Sequence, residues 1–243
     1  MTRWLYLSVA LTLLALGASL YVWNVRYDDL PENVPTHWDA NFNPDGFAPK
    51  QEVWKVFFIL PLVMAGLCGL TLLLPWLSPK HFEVDTFRGT YGYIMMLVVA
   101  LMGYLHVATL WGAMQPEENR TIFMRFFLGG ICLFLALLGN VLGKVRRNFW
   151  MGVRTPWTLA SEAVWNQTHR LAAWLFVAAG LAGFALVMAL PAGAAWVPLT
   201  VIVPAALVPV IYSLVLYKRL EREGKLEPPA ATPNGPSKEV HAG

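Results

Sequence analysis

"IFMRFFLGGICLFLALLGNVLG", residues 122–143, runs for 22 residues with a single charge, Arg125, close to its start. As a helix it would rise about 33 Å, enough to cross a hydrocarbon core of about 30 Å. Five further apolar runs have the same character, near Trp4–Trp23, Trp54–Trp76, Tyr91–Met114, Leu171–Leu190 and Trp196–Tyr217. The 243-residue chain is 57% hydrophobic and 14% charged, whereas a soluble domain is nearer about 25% charged. Tryptophan and tyrosine stand at many run ends, where amphipathic rings favour the headgroup layer. The pattern predicts an all-α integral membrane protein, a bundle of six transmembrane helices joined by a short exported loop domain and an amphipathic cytoplasmic loop helix.

The first run is read as a retained span because Trp4, Tyr6, Tyr21 and Trp23 flank it. A cleaved signal peptide is the alternative, given Arg3 ahead of the apolar stretch and the small residues Ala15 and Gly17. With the N-terminus inside, the cytoplasmic segments hold 13 lysines and arginines and the exported ones 3, leaving aside Lys55 and Arg125 at span edges. That asymmetry fits the positive-inside rule and predicts a multi-pass protein of the plasma (inner) membrane with both termini in the cytoplasm. The net charge of +3 is thus a topology signal, and no basic patch points to nucleic acid.

Three regions follow: residues 1–76, two spans with an acidic exported loop at 24–53; residues 77–217, four spans with a dense cytoplasmic loop at 144–170; and residues 218–243, a basic then proline-rich, disordered tail. The two cysteines, Cys68 and Cys132, lie inside apolar runs and read as packing residues. No Asp, Glu, Lys or Arg occupies the centre of a span, so proton-coupled transport is disfavoured. His106 in the third span reads as a hydrogen-bonded packing residue. Gly139 and Gly143 have small-xxx-small spacing for close helix approach, and Asn140 between them is expected to hydrogen-bond a neighbouring helix.

The loop at 144–170 carries the most specific pattern. Its stretch "RRNFWMGVRTPWTL", residues 146–159, holds three arginines, two tryptophans, a glycine and a proline. Thr155 before Pro156 reads as an N-cap and first helical residue. From there Trp157, Ala160, Val164, Thr168 and Leu171 fall on one stripe, with Trp165 beside it. Glu162, Asn166, His169 and Arg170 fall on another, as in an amphipathic helix lying on the membrane surface. Gly152 permits a sharp turn. Arg154 is expected to fix that turn by hydrogen bonds to backbone carbonyls or to Glu162, and Trp157 to dock against helix ends. A simple interfacial anchor would also explain the amphipathicity.

Residues Asn140, Asn148, Gly152, Val153, Arg154, Thr155, Pro156, Trp157, Thr158, Leu159, Trp165, Thr168, His169 and Arg170 together resemble the signature of the SdpI family of bacterial membrane immunity proteins. In the exported loop Pro31, Pro35, His37, Asp45, Gly46 and Lys50 resemble a small domain of unknown function that often precedes an SdpI-type half. The resemblance implies protection against a membrane-active peptide toxin or related envelope stress. It also implies signalling, by holding a transcriptional repressor at the membrane. The partners it implies are membrane lipids, a peptide toxin on the exported face and a repressor protein on the cytoplasmic face.

His37 and His169 fall on opposite sides of the membrane, so no metal site joins them, and neither a cofactor nor a catalytic constellation is read. Two alternatives stay open from the residues: a transporter or channel for a small or amphipathic solute, and a membrane-embedded enzyme.

Overall fold

The apolar runs form six long helices in the computed structural model, which describes residues 1–79, 84–115, 119–190 and 196–226. They are α1 (Thr2–Val25), α2 (Trp54–Trp76), α3 (Arg88–Ala113), α4 (Arg120–Leu142), α6 (Glu162–Ala189) and α7 (Val197–Arg222). Between α1 and α2 lies a two-stranded antiparallel hairpin, β1 (Asn33–Trp38) and β2 (Pro44–Pro49). Between α4 and α6 lies the one-turn helix α5 (Pro156–Ala160). The fifth connection, residues 191–195, part of the third, 116–118, and the tail 227–243 lie outside the described residues, as does Lys80.

Large apolar side chains point outward along every span. Leu14, Leu62, Trp76 and Trp174 are each at least 70% exposed. In water such a surface would aggregate; in lipid it is solvated by its own kind. Backbone polar groups pair along each helix, and where Pro61 of α2 removes a donor the freed Phe57 carbonyl accepts from Ser19 of α1. The protein is therefore a multi-pass, all-α membrane protein.

The helices pack as two triplets, α1 with α2 and α3, and α4 with α6 and α7, joined where α3 meets α4. Backbone approach drives the second triplet. A Cβ on Gly180 would meet the Ala136 nitrogen at 2.5 Å, and one on Gly139 the Val177 nitrogen at 2.7 Å. Gly143 is looser, 3.7 Å from Ala173 Cβ. Asn140 corrects the expectation placed on it: it lies on the exposed face of α4, because Gly139 already occupies the face turned to α6. Both cysteines are buried and free.

The first triplet is pinned by a polar knot. Ser19 Oγ donates to the Phe57 carbonyl at 2.8 Å and lies 2.9 Å from His106 Nε2, which is 3.2 Å from the Ala15 carbonyl. Both side chains are buried, and with the two carbonyls they tie α1, α2 and α3 together. His106 thus joins these helices as a hydrogen-bonded packing residue. At the edge of the second triplet, Arg125 donates to the Leu190 carbonyl at the end of α6, at 3.0 Å.

Candidate functional site

The connection from α4 to α6 folds as a platform. Asn148, fully buried, is its hub. Its Oδ1 accepts from the Trp150 and Met151 amides, each at 2.8 Å. Its Nδ2 donates to the Arg146 and Met151 carbonyls at 2.8 and 3.0 Å. One side chain therefore satisfies four backbone groups of a tight loop that has no helix to satisfy them.

Beyond the hub the chain reverses at Gly152, whose φ of +107° falls where a side chain is strained. Glycine is needed there twice over, because a Cβ would come within 2.2 Å of His169 Nε2. The Val153 amide donates to that same nitrogen at 3.0 Å, while His169 Nδ1 faces the Trp165 carbonyl at 2.9 Å. The accepting Nε2 fixes the neutral tautomer with its proton on Nδ1. Trp165 stacks on His169, centroids 4.0 Å apart, and its Nε1 donates to the Val145 carbonyl at 2.8 Å.

Thr155 then caps α5. Its hydroxyl accepts from the Thr158 amide at 3.2 Å, and Thr158 Oγ1 accepts from the Thr155 amide at 2.9 Å, a reciprocal capping box. Thr158 also donates to the Val153 carbonyl at 2.8 Å, closing the turn. The Thr155 hydroxyl lies 3.0 Å from Ser213 Oγ on α7, which ties the loop to the last span. Leu159 accepts from Arg147 through its carbonyl at 3.2 Å. Trp157 packs against Val164, Leu216 and Leu220, at the ends of α6 and α7.

Two expectations are corrected here. The surface helix running from 156 to 170 is broken: Ser161 is extended (φ −137°, ψ 129°) and caps a new helix, so Glu162 to Arg170 are the opening turns of the α6 span. His169, expected on the polar stripe, is buried one turn after Trp165, because the Trp165 ring stacks on it and the Val153 amide folds down onto it. Arg154, expected to hydrogen-bond within the turn, is instead exposed and lays its guanidinium 4.6 Å over the Phe149 ring. Pro156 and Arg170 are also exposed. Sequence reasoning missed Ser161, Ser213 and Phe149; the Ser161–Glu162 pair, a second cap signal, could have revealed the first of them.

The hairpin is built differently. His37 pairs across the strands with Gly46, and its Nδ1 lies 2.5 Å from Asp45 Oδ1, both side chains exposed. Its five-residue loop is an Asp39 turn, with Oδ1 accepting from the Asn41 and Asn43 amides at 2.8 Å. Lys50 is buried, its ammonium 4.7 Å above the Tyr27 ring. Arg26 pairs with Asp29. The Lys55 ammonium, hydrogen-bonded to Glu52 at 2.7 Å, holds that carboxyl below its usual range. Trp38 and Phe42 pack on Phe123 of α4, centroids 5.0 and 5.6 Å away. Pro31 and Pro35 line a pocket on this face.

Helix packing and the two built loops define the class: a six-span membrane protein with an ordered element at each face. Residues 144–213, which hold the whole platform, match the SdpI/YfhL protein family. Residues 13–65, which hold the hairpin, match a domain of unknown function, DUF1648. The chain thus carries an SdpI-family region behind a DUF1648 region. It is 28% identical over 156 residues to the immunity protein SdpI of Bacillus subtilis (strain 168), covering 64% of this chain and 70% of that protein. No solved structure matches it.

Proposed function

We propose that this chain is a multi-pass immunity protein that protects its cell against a membrane-active peptide toxin or related envelope stress, by binding and not by catalysis. The hairpin faces the outside, and both termini and the platform face the cytoplasm. The observation that carries the reading is the platform itself. The SdpI-type residues Asn148, Thr155, Thr158, Trp165 and His169 are buried and hydrogen-bonded within it, in a chain similar to an immunity protein. A plain interfacial anchor would need none of those bonds. Exposed Lys144, Arg146 and Arg154 beside the unit support a second role, holding an acidic face of a repressor protein at the membrane.

Survival tests the first role. A susceptible bacterium expressing the chain, challenged with a panel of membrane-active peptides, survives at least one better than cells carrying Asn148→Asp at equal membrane abundance. Equal killing across the whole panel refutes protection. Cysteine labels at Asn43 and Ser237 test the sidedness: Asn43 reacts from outside intact cells and Ser237 does not, and the reverse pattern refutes it.

A further inference from the structure

A pocket of about 510 Å³ opens on the hairpin face, within the range of about 300–1,000 Å³ at which protein pockets enclose ligands. Its walls come from segments far apart in sequence. Pro35 and Phe47 belong to the hairpin, Gly112 and Met114 to the end of α3, and Phe123 to the start of α4. Trp38 lies beside them. Such walls suit an aliphatic or aromatic side chain.

The rim has the opposite character. Asp29 lines the pocket, and the exposed Asp28 and Glu32 flank its lining residues Asp29, Pro31 and Asn33. Loop 24–53 holds six carboxylates against two cations, Arg26 and Lys50. Arg26 is already paired with Asp29, and Lys50 is buried over Tyr27. Neither cation offers its charge to a newcomer; the pairing spends Asp29 as well, so the exposed Asp28 and Glu32 carry the negative charge at this rim. An anionic lipid headgroup would be repelled by this rim, and an uncharged apolar molecule would make no use of it. A cationic peptide with a bulky apolar residue satisfies both at once.

We propose that this pocket binds the apolar anchor residue of a cationic, amphipathic peptide arriving at the membrane surface. The peptide's biological meaning rests on the protective reading above; the binding itself does not. Phe47 is the residue to probe, because it is 56% exposed and its truncation leaves the folded core intact.

The full chain in zwitterionic nanodiscs is titrated with a synthetic leucine–lysine amphipathic peptide carrying one photo-crosslinking leucine. Crosslinks are expected near Met114 and Phe123. Phe47→Ala weakens binding about tenfold, the worth of one buried aromatic contact. Asp28→Asn with Glu32→Gln weakens it further, and added salt weakens the wild type. A leucine–glutamate peptide of the same pattern does not compete. Equal binding of that anionic peptide, crosslinks spread over the outward faces of the spans, or occupation by a photoactivatable anionic phospholipid would each overturn the proposal. A Phe47→Ala protein that loses the peptide yet protects cells fully overturns the pocket's part in protection and leaves the protective reading standing. A wild type that binds through the pocket yet protects against nothing does the reverse.

Discussion

The platform and the hairpin reach the same end by different chemistry. The platform is held by buried polar groups with fixed geometry: Asn148 with its four backbone partners, His169 with the Val153 amide, and Thr155 with Thr158. The hairpin is held mainly by rings and apolar burial, with Phe42 and Trp38 on Phe123 and Val34 packed with Phe57 and Leu110. Its visible ion pairs are exposed. Polar geometry fails abruptly when one partner is removed, because a stranded buried group costs more than the bond contributed. Apolar packing fails in proportion to the volume lost. The platform should therefore be brittle and the hairpin forgiving.

Gly152→Ala tests that brittleness hardest. A Cβ within 2.2 Å of His169 Nε2 at a φ of +107° combines overpacking with a strained backbone, together about 4 kcal/mol. Thermal unfolding in detergent should show it as the largest loss, and a near-normal midpoint would deny that the turn is rigid. Asn148→Asp comes next. It keeps the two acceptor bonds but replaces a donor that serves the Arg146 and Met151 carbonyls with an acceptor, at about 3 kcal/mol. Fast amide exchange confined to the loop is the expected sign.

Phe42→Ala should cost less, about 2 kcal/mol, because neighbouring rings can relax into part of the space. Protease cleavage of the hairpin should rise while the platform stays protected. If the platform opens too, the two elements are not independent. Arg154→Ala should cost about 0.5–1 kcal/mol, the worth of an exposed cation–ring contact, with Arg154→Lys in between because it keeps the charge and loses the flat stack. A lysine variant that survives the toxin assay like wild type while the alanine variant does not would make Arg154 a plain surface cation. His37→Ala should be the mildest, below about 0.5 kcal/mol, since the Asp45 pair is exposed.

How much of this could be read in the sequence follows the same division. The spans were legible because lipid demands about twenty apolar residues in a row, whatever their neighbours. The platform's members were legible as a signature, and Gly152 and Thr155 by their local chemistry. Their partners were not. His169 was put on the polar face because the loop segment that covers it, Gly152–Val153, is 16 residues away, and nothing local marks Phe149 as the ring beneath Arg154. The hairpin went unread as strands because Pro35, Pro44 and Pro49 argue against a sheet; in a two-stranded ribbon every strand is an edge and tolerates them. Asn140 failed because a polar residue in a span was assumed to seek a partner. The pocket was out of reach, since its walls come from loops and helix ends about 90 residues apart.

Each built element packs into a cluster that reaches the triplet it does not belong to. Trp38 and Phe42, from the connection between α1 and α2, rest on Phe123 of α4. Trp150, Met151 and Val153, from the connection after α4, pack against a cluster that joins Phe87 and Tyr91, at the start of α3, with Val145 and Trp165. Order of synthesis separates the two. When the platform is made, α3 already exists and α6 follows at once. The hairpin is made before any of α4, and at typical rates of elongation roughly 5–15 s pass before its aromatic seat emerges from the ribosome. During that interval Trp38 and Phe42 lack their ring partner Phe123. The nascent chain should then be most open to proteases and chaperones at its earliest ordered element, and a ribosome stalled just before residue 123 should leave the hairpin held through Val34, with Trp38 and Phe42 unseated.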